Sequence, residues 1–234
     1  MFLKKYLSKK EIKKAKETNH RPSPISEYSF TIDYVNFVLK LEKSLEDKIN
    51  MLDFFMEMIR KDIQYDLMSK FLYSEMDDVF IDAPIPITLM SRDPKEKDKA
   101  MLVRKDKIID LSKDSIILLP WDRFRFSNTV KSIYKDKFVY MESNHKAYYY
   151  SDIDLCYVHS GNHSITTGII KREGIIKAEE YDIKNLFKIL TTDGLNWYLN
   201  GENYTIEVFD FRIAILYELA KIKHFLEPKM QKSI

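Results

Sequence analysis

Apolar positions follow two different rhythms along the chain. Between residues 31 and 76 neither Pro nor Gly interrupts the sequence, and Leu45, Ile49, Leu52, Phe55, Met56, Ile59, Ile63 and Leu67 recur at spacings of three and four. That period gathers them on one helix face, so it predicts one long helix or two helices broken near 46–50. Upstream, Phe2, Leu3, Tyr6, Leu7 and Ile12 make an imperfect apolar stripe among lysines, which predicts a helix over 2–17. Asn19-His20-Arg21-Pro22-Ser23-Pro24 should end it, because proline restricts the residue before it and cannot continue a helix.

After Asp82-Ala83-Pro84-Ile85-Pro86 the apolar runs shorten. Residues 108–111, 115–119, 138–141, 147–150, 153–159 and 174–180 have the length and the β-branched or aromatic character of strands. Residues 128–134, 164–171, 182–190 and 205–225 read as helices, with Asp182 opening the third. The mixed-charge stretch 91–99 reads as a solvated loop, and Thr191-Thr192-Asp193-Gly194 as a turn. All five glycines lie at or beyond Gly161, which favours long helices early and tighter structure later. The fold class expected is α+β: a helical N-terminal region with a basic arm over 1–81, then a small mixed sheet with helices over 82–234, closed by a C-terminal helix.

Composition narrows the class. Hydrophobic residues at 45% and charged residues at 32% of 234 fit a globular chain with a sizeable core rather than a disordered one. No uncharged apolar run approaches the roughly 18 residues that span a bilayer, so no membrane partner is expected. The N-terminus has no apolar segment between its lysines, unlike a secretory signal. The single Cys156 can form no internal disulfide, which fits a cytoplasmic location. The net charge of +2 is uneven: seven lysines against Glu11 give residues 1–16 a local charge of +6, leaving −4 for the rest. This balance argues against a globally basic nucleic-acid coat and leaves open a basic arm touching nucleic acid or an acidic partner.

Reactive side chains are densest over 151–168, where Asp152, Asp154, Cys156, His159, His163, Ser164, Thr166 and Thr167 occur together. An apolar strand would run into a Gly-Asn turn that opens a helix. Backbone N–H groups at such a start can hold an anion, and His163 can add a proton donor or positive charge. Ser164, Thr166 and Thr167 would either cap the helix or contact phosphate.

The turn Ser160-Gly161-Asn162-His163-Ser164, followed by Ile165-Thr166-Thr167-Gly168, resembles the Gly-x-His-Arg turn of the ParB/sulfiredoxin-like superfamily. Ile116-Ile117-Leu118-Leu119-Pro120-Trp121-Asp122-Arg123 and Thr129-Val130-Lys131-Ser132-Ile133 are similar to that fold's opening strand and helix. The resemblance spans about a third of the chain, near 108–190, and its core motif is four residues long. It implies a turn that binds nucleotide phosphate, in a superfamily that includes switches, nucleases and phosphoryl-transfer enzymes. Gly161 and His163 match. Ser164 stands where the superfamily has Arg, removing a bidentate phosphate contact. Asn162 stands where sulfiredoxins have their reactive cysteine, which disfavours their chemistry. The whole chain also resembles an uncharacterised bacterial or phage family.

The resulting expectation is a nucleotide- or nucleic-acid-phosphate-binding protein, with phosphohydrolase or nuclease activity left open. The phosphate would meet Gly161, Asn162, Ser164 and Thr166, with Arg123 or Arg125 replacing the missing guanidinium. His163 would act as general acid or charge stabiliser, and Asp152 or Asp154 would position a water or a divalent ion, Mg or Mn being the ones to test. His159 and Asp154, with His145 nearby, are metal-ligand types in no recognised spacing. Simpler readings compete at each point. The Gly-Asn-His-Ser turn can merely start a helix, Cys156 can be a small buried hydrophobe, and Arg123 and Arg125 can lie on a half-buried strand with an Asp122 ion pair. The rival function is a non-catalytic interaction module, a regulator, inhibitor or homo-oligomer, acting through the helical half, where Met51, Phe54, Phe55, Met56, Met58 and Met68 exceed the needs of one helix face.

Overall fold

A computed structural model describes residues 23–73, 83–86, 102–103, 106–199 and 205–230. The expected helix over 2–17, the basic arm and the loop over 91–99 lie outside the described residues.

Helix α1 (Pro24–Leu41) begins within the proline-containing stretch expected to end a helix. Ser23 is its N-cap, accepting a hydrogen bond from the Ser26 amide, and Pro24 sits in the first turn, where its missing N–H costs nothing. Helix α2 (Leu45–Tyr73) follows after a break at 42–44, slightly earlier than expected. Ser44 fixes that break, since its hydroxyl accepts from the Asp47 amide and donates to the Asp47 carboxylate. Two strands, β1 (Leu102–Val103) and β2 (Lys107–Asp110), precede β3 (Ile116–Ile117).

Helix α3 (Arg123–Asp136) starts at a capped Asp122, whose Oδ1 accepts from the amides of Phe124 and Arg125. Residues 123–126 are therefore helical, and the alternating-strand reading of Arg123 and Arg125 is corrected. Residues 138–141 are irregular rather than a strand. Then come β4 (Lys146–Tyr150), β5 (Leu155–Ser160), helix α4 (Asn162–Lys171) and β6 (Ile175–Asp182). A short 3-10 turn over Lys184–Lys188 replaces the expected helix at 182–190. Strands β7 (Leu190–Thr192), β8 (Asn196–Leu199) and β9 (Thr205–Glu207) form an antiparallel meander, and α5 (Phe211–Met230) closes the chain.

The larger sheet has the order β1-β6-β4-β5-β3, with β2 also paired to β6. It is mixed: β3 runs parallel to β5 and β4 parallel to β6, while β4 is antiparallel to β5 and β2 to β6. The protein is thus α+β, with helices first and a mixed sheet behind them.

Alternation along the strands splits the core in two. Leu155, Tyr157, Ile117 and Tyr150 face α1, α2, α5 and the meander, together with Val35, Leu52, Met56 and Trp197. Cys156, Val158, Ile116 and Tyr149 face the other way, against Ile165 and Ile169 of α4. The boundary expected at 81/82 is not itself described, but the first of these cores contains residues from both sides of it.

Two buried polar side chains of α2 fasten it to the sheet. Gln64 Oε1 accepts from the Ile116 amide at 2.9 Å, on the edge of β3 that β5 leaves open. Arg60 donates to the Ile153 carbonyl at 3.1 Å and pairs with Glu57. On the exposed side of the same stretch of α2, Arg212 bridges Asp62 and Asp66 and also pairs with Asp210. Replacing Gln64 by Leu strands the buried Ile116 amide. We expect a loss of about 1–3 kcal/mol of unfolding free energy by urea titration, while loss of under half that would show the tether to be dispensable.

Candidate functional site

The adjacent parallel strands β3 and β5 both end at one edge of the sheet, and the helices that follow them, α3 and α4, begin there. In open sheets the carboxyl ends of parallel strands are where the backbone leaves room for a ligand. A pocket of about 510 Å³ occupies that position. Its border includes Trp121 and Arg125 at the start of α3, Lys137 and Phe138 at its end, and His145, His159 and the 161–164 turn.

Side chains of the first turn of α4 tie the two strand–helix connections together. Asn162 Oδ1 accepts from the Leu119 amide at 3.2 Å, and His163 Nε2 accepts from the Asp122 amide at 3.1 Å. Accepting there places the ring proton of neutral His163 on Nδ1. Trp121 meets the same ring edge-on, with centroids 5.6 Å apart. Arg125 lies over the Trp121 ring at 5.6 Å. Burial, and next the positive charge of Arg125, hold the His163 pKa below its ordinary value. His163 is therefore a neutral donor at pH 7 rather than an imidazolium.

Ser164 belongs to a closed chain of hydrogen bonds. The Met141 amide donates to His145 Nδ1, His145 Nε2 meets Ser164 Oγ at 2.8 Å, and Ser164 donates to the Gly161 carbonyl. With Nδ1 accepting, His145 must carry its proton on Nε2 and cannot take one from Ser164. The pair looks like a nucleophile and base, but its tautomer is set the other way. His145 is buried, which lowers its pKa, and its ring stacks on Phe138 with centroids 5.2 Å apart. Gly161 makes this possible: its φ is +88°, and a Cβ there would lie 2.5 Å from His145 Cδ2. Gly174 does the same for Phe138, whose ring would stand 2.3 Å from an added Cβ.

No side chain caps the start of α4. The leading N–H groups of a helix lack intrahelical acceptors, so this end carries a positive partial charge beside the pocket. Arg125 and Lys137 add full charges on the border, where Asp136 is the acidic neighbour.

The other candidate residues stand elsewhere. Asp152 and Asp154 precede β5, whereas the turn follows it; six extended residues separate the two by about 20 Å. Asp152 accepts from the Ile183 amide and pairs with Lys184, and burial raises its pKa. Asp154 accepts from the Tyr149 hydroxyl and lies 3.7 Å from Arg60. These two carboxylates organise the far end of the strand and do not share a site with His163. His159 borders the pocket but stacks on Tyr148, with centroids 4.9 Å apart, at the opposite end of β5 from Asp154. No three His, Cys, Asp or Glu side chains converge as a metal site among the described residues. Arg123 donates to the Phe71 carbonyl of α2, away from the pocket. Thr166 donates back to the Asn162 carbonyl and is buried. Cys156 is fully buried, and burial raises its thiol pKa. Lys137, Phe138, Met141 and Asn144 also line the pocket although no motif marks them.

A family of unknown function, DUF6710, matches residues 8–230, and the chain belongs to it. No curated protein and no solved structure matches the chain. No helix among the described residues is long and apolar enough to cross a membrane.

Two measurements test this geometry. Gly161→Ala combines a left-handed backbone with a clash on His145, and should cost about 2–3 kcal/mol of stability; near-neutral behaviour would mean that His145 is free to move. In two-bond ¹⁵N spectra at pH 7, His145 should show the Nε2–H form and His163 the Nδ1–H form, and an imidazolium at either would sink the assignment. Because both pKa values lie below the ordinary 6.5, the unfolded chain takes up these protons first. Their stability contribution is complete above about pH 6.5 and is lost as pH falls toward the folded values.

Proposed function

We propose that this member of the family binds a phosphate-bearing ligand of the nucleotide or nucleic-acid class in the pocket at the start of α4. The observation that carries the reading is an uncapped helix start bordering a 510 Å³ pocket next to Arg125 and Lys137. Amides at a helix start and a guanidinium suit an anion, and the volume is ordinary for a small-molecule site. Arg125 occupies the role left vacant by Ser164, whereas Arg123 is held on α2. Trp121 and Phe138 offer apolar surface for a base or sugar beside the charged part. The likeness of the turn to the ParB/sulfiredoxin-like superfamily supports the same reading at the level of four residues.

The arrangement favours binding over hydrolysis. The expected carboxylates lie at the far end of β5, Ser164 is held by a protonated His145 Nε2, and His163 Nε2 is occupied by the Asp122 amide. His163 can still donate from Nδ1 to a phosphate oxygen.

A thermal-shift panel of nucleoside mono-, di- and triphosphates and pyrophosphate, with and without Mg or Mn, tests the proposal. A ligand at a hundredfold its Kd stabilises by about 2.7 kcal/mol, so a specific ligand registers clearly. Arg125→Ala and His163→Ala should each weaken binding about tenfold through loss of a donor to a charged group. A panel without any shift, or a shift that both variants retain in full, would refute it.

A further inference from the structure

Helix α1 is apolar on two opposite faces. Val35 and Leu39, with Tyr28 and Ile32 beside them, point into the core. Offset by two residues, Phe30, Tyr34, Phe37 and Leu41 recur at spacings of four, three and four on the outer side. These four are 75%, 50%, 58% and 61% exposed. A solvent-facing helix side normally carries polar residues, and a regular stripe of large apolar ones marks a contact surface. Tyr34 meets Phe55 of α2 edge-on, and Phe55 in turn meets Phe54, which extends the apolar patch onto the second helix.

We propose that α1 is the interface of a homodimer in which two copies pair antiparallel along Phe30, Tyr34, Phe37 and Leu41. The stripe is self-complementary in that direction. Phe30 of one copy meets Leu41 of the other and Tyr34 meets Phe37, giving four layers about one two-fold axis. The 4-3-4 spacing is that of a two-stranded seam, in which the flanking charged positions choose orientation. Asp33 and Lys40 lie on the same flank, seven residues apart. Reversing the second helix sets Asp33 of each copy opposite Lys40 of the other, forming two ion pairs. A parallel arrangement sets Asp33 beside Val38 instead and pairs neither charge. With aromatic side chains contributing on the order of 150–250 Å² each when fully buried, the half-exposed stripe and Phe54 bury roughly 1,000 Å² across two copies, the lower end of a specific interface. This inference concerns α1 and does not depend on the pocket.

Sedimentation equilibrium of the full chain should show a concentration-dependent dimer at micromolar protein. Phe37→Glu should abolish it while leaving the circular dichroism spectrum and Tm close to the parent, since the side chain is exposed. Asp33→Lys and Lys40→Asp should each weaken the dimer about tenfold, because each turns two ion pairs into repulsions. The double variant, D33K with K40D, should restore it, and the two single variants mixed together should prefer each other over themselves. A monomer at every concentration overturns the proposal, whether the stripe then stands bare, lies under residues 1–22 or takes another protein. A dimer unaffected by Phe37→Glu overturns it too, and a dimer whose charge reversals fail to complement each other overturns the antiparallel order.

Discussion

The parallel pairing of β3 with β5 is the constraint on which the functional part of the molecule rests. Because the two strands point the same way, the connections leaving them emerge at one edge, and two helices must start side by side there. Their starts are not left to separate on their own. Asn162 and His163, the first two residues of α4, accept the amides of Leu119 and Asp122 from the neighbouring connection. Asp122 in turn caps α3. One turn of helix therefore fixes the spacing of both helix starts, and the pocket between them follows from that spacing.

That parallel pair survives only because its exposed edge and both its faces are covered. Strand β3 is two residues long and lies at the margin of the sheet, where an unpaired amide would be costly if buried. Gln64 answers that cost with a side-chain carbonyl, and Met68, one turn further along α2, crosses to the second core. Strand β5 is apolar at four successive positions, Leu155 to Val158, as a strand buried on both faces must be. The helical region is thus a wall of the sheet's own core, and losing α2 would expose one face of the strands that carry the pocket.

Much of this was legible where a periodic pattern met a local signal. The inward positions of α2 include Leu52, Met56, Ile63 and Leu67, all present in the three–four pattern. The break before it lies a few residues earlier than the periodicity suggests because Ser44, capping at the Asp47 amide, sets it rather than the apolar pattern. Pro24 suits a stop as well as a start, an ambiguity that proline always carries, since it is excluded from helix interiors and welcome in the first turn, and here it is a start. Within the site, the Gly161 turn and His163 could be found from sequence because strand, glycine and helix are local. The partners of Asp152 and Asp154 could not. Ile183, Lys184 and Arg60 come from distant segments and Tyr149 from the preceding strand, so no spacing within 151–168 reveals these contacts. The tautomer of His145 is hidden for a different reason: it depends on a backbone amide four residues back, in an irregular segment that no periodic pattern describes.

The two surfaces that the structure singles out lie on different layers. The outer stripe of α1 belongs to the helices that pack on one face of the sheet, and the pocket is bordered by α3 and α4 and by the segment between α3 and β4, with α4 packed on the other face. They share no residue, and the sheet stands between their supporting cores. Sites this far apart with no common partner ordinarily contribute independently. A dimer formed through α1 would therefore leave both pockets open and would hold two copies of one anion site at a fixed separation. For a ligand with a single phosphate group that geometry changes nothing, since each site fills alone. For a polyanion long enough to reach both, the second contact becomes intramolecular and its effective concentration is set by the protein rather than by solution. Self-association and phosphate recognition, separate in structure, would then combine to discriminate by length of the ligand, a property that neither surface has by itself.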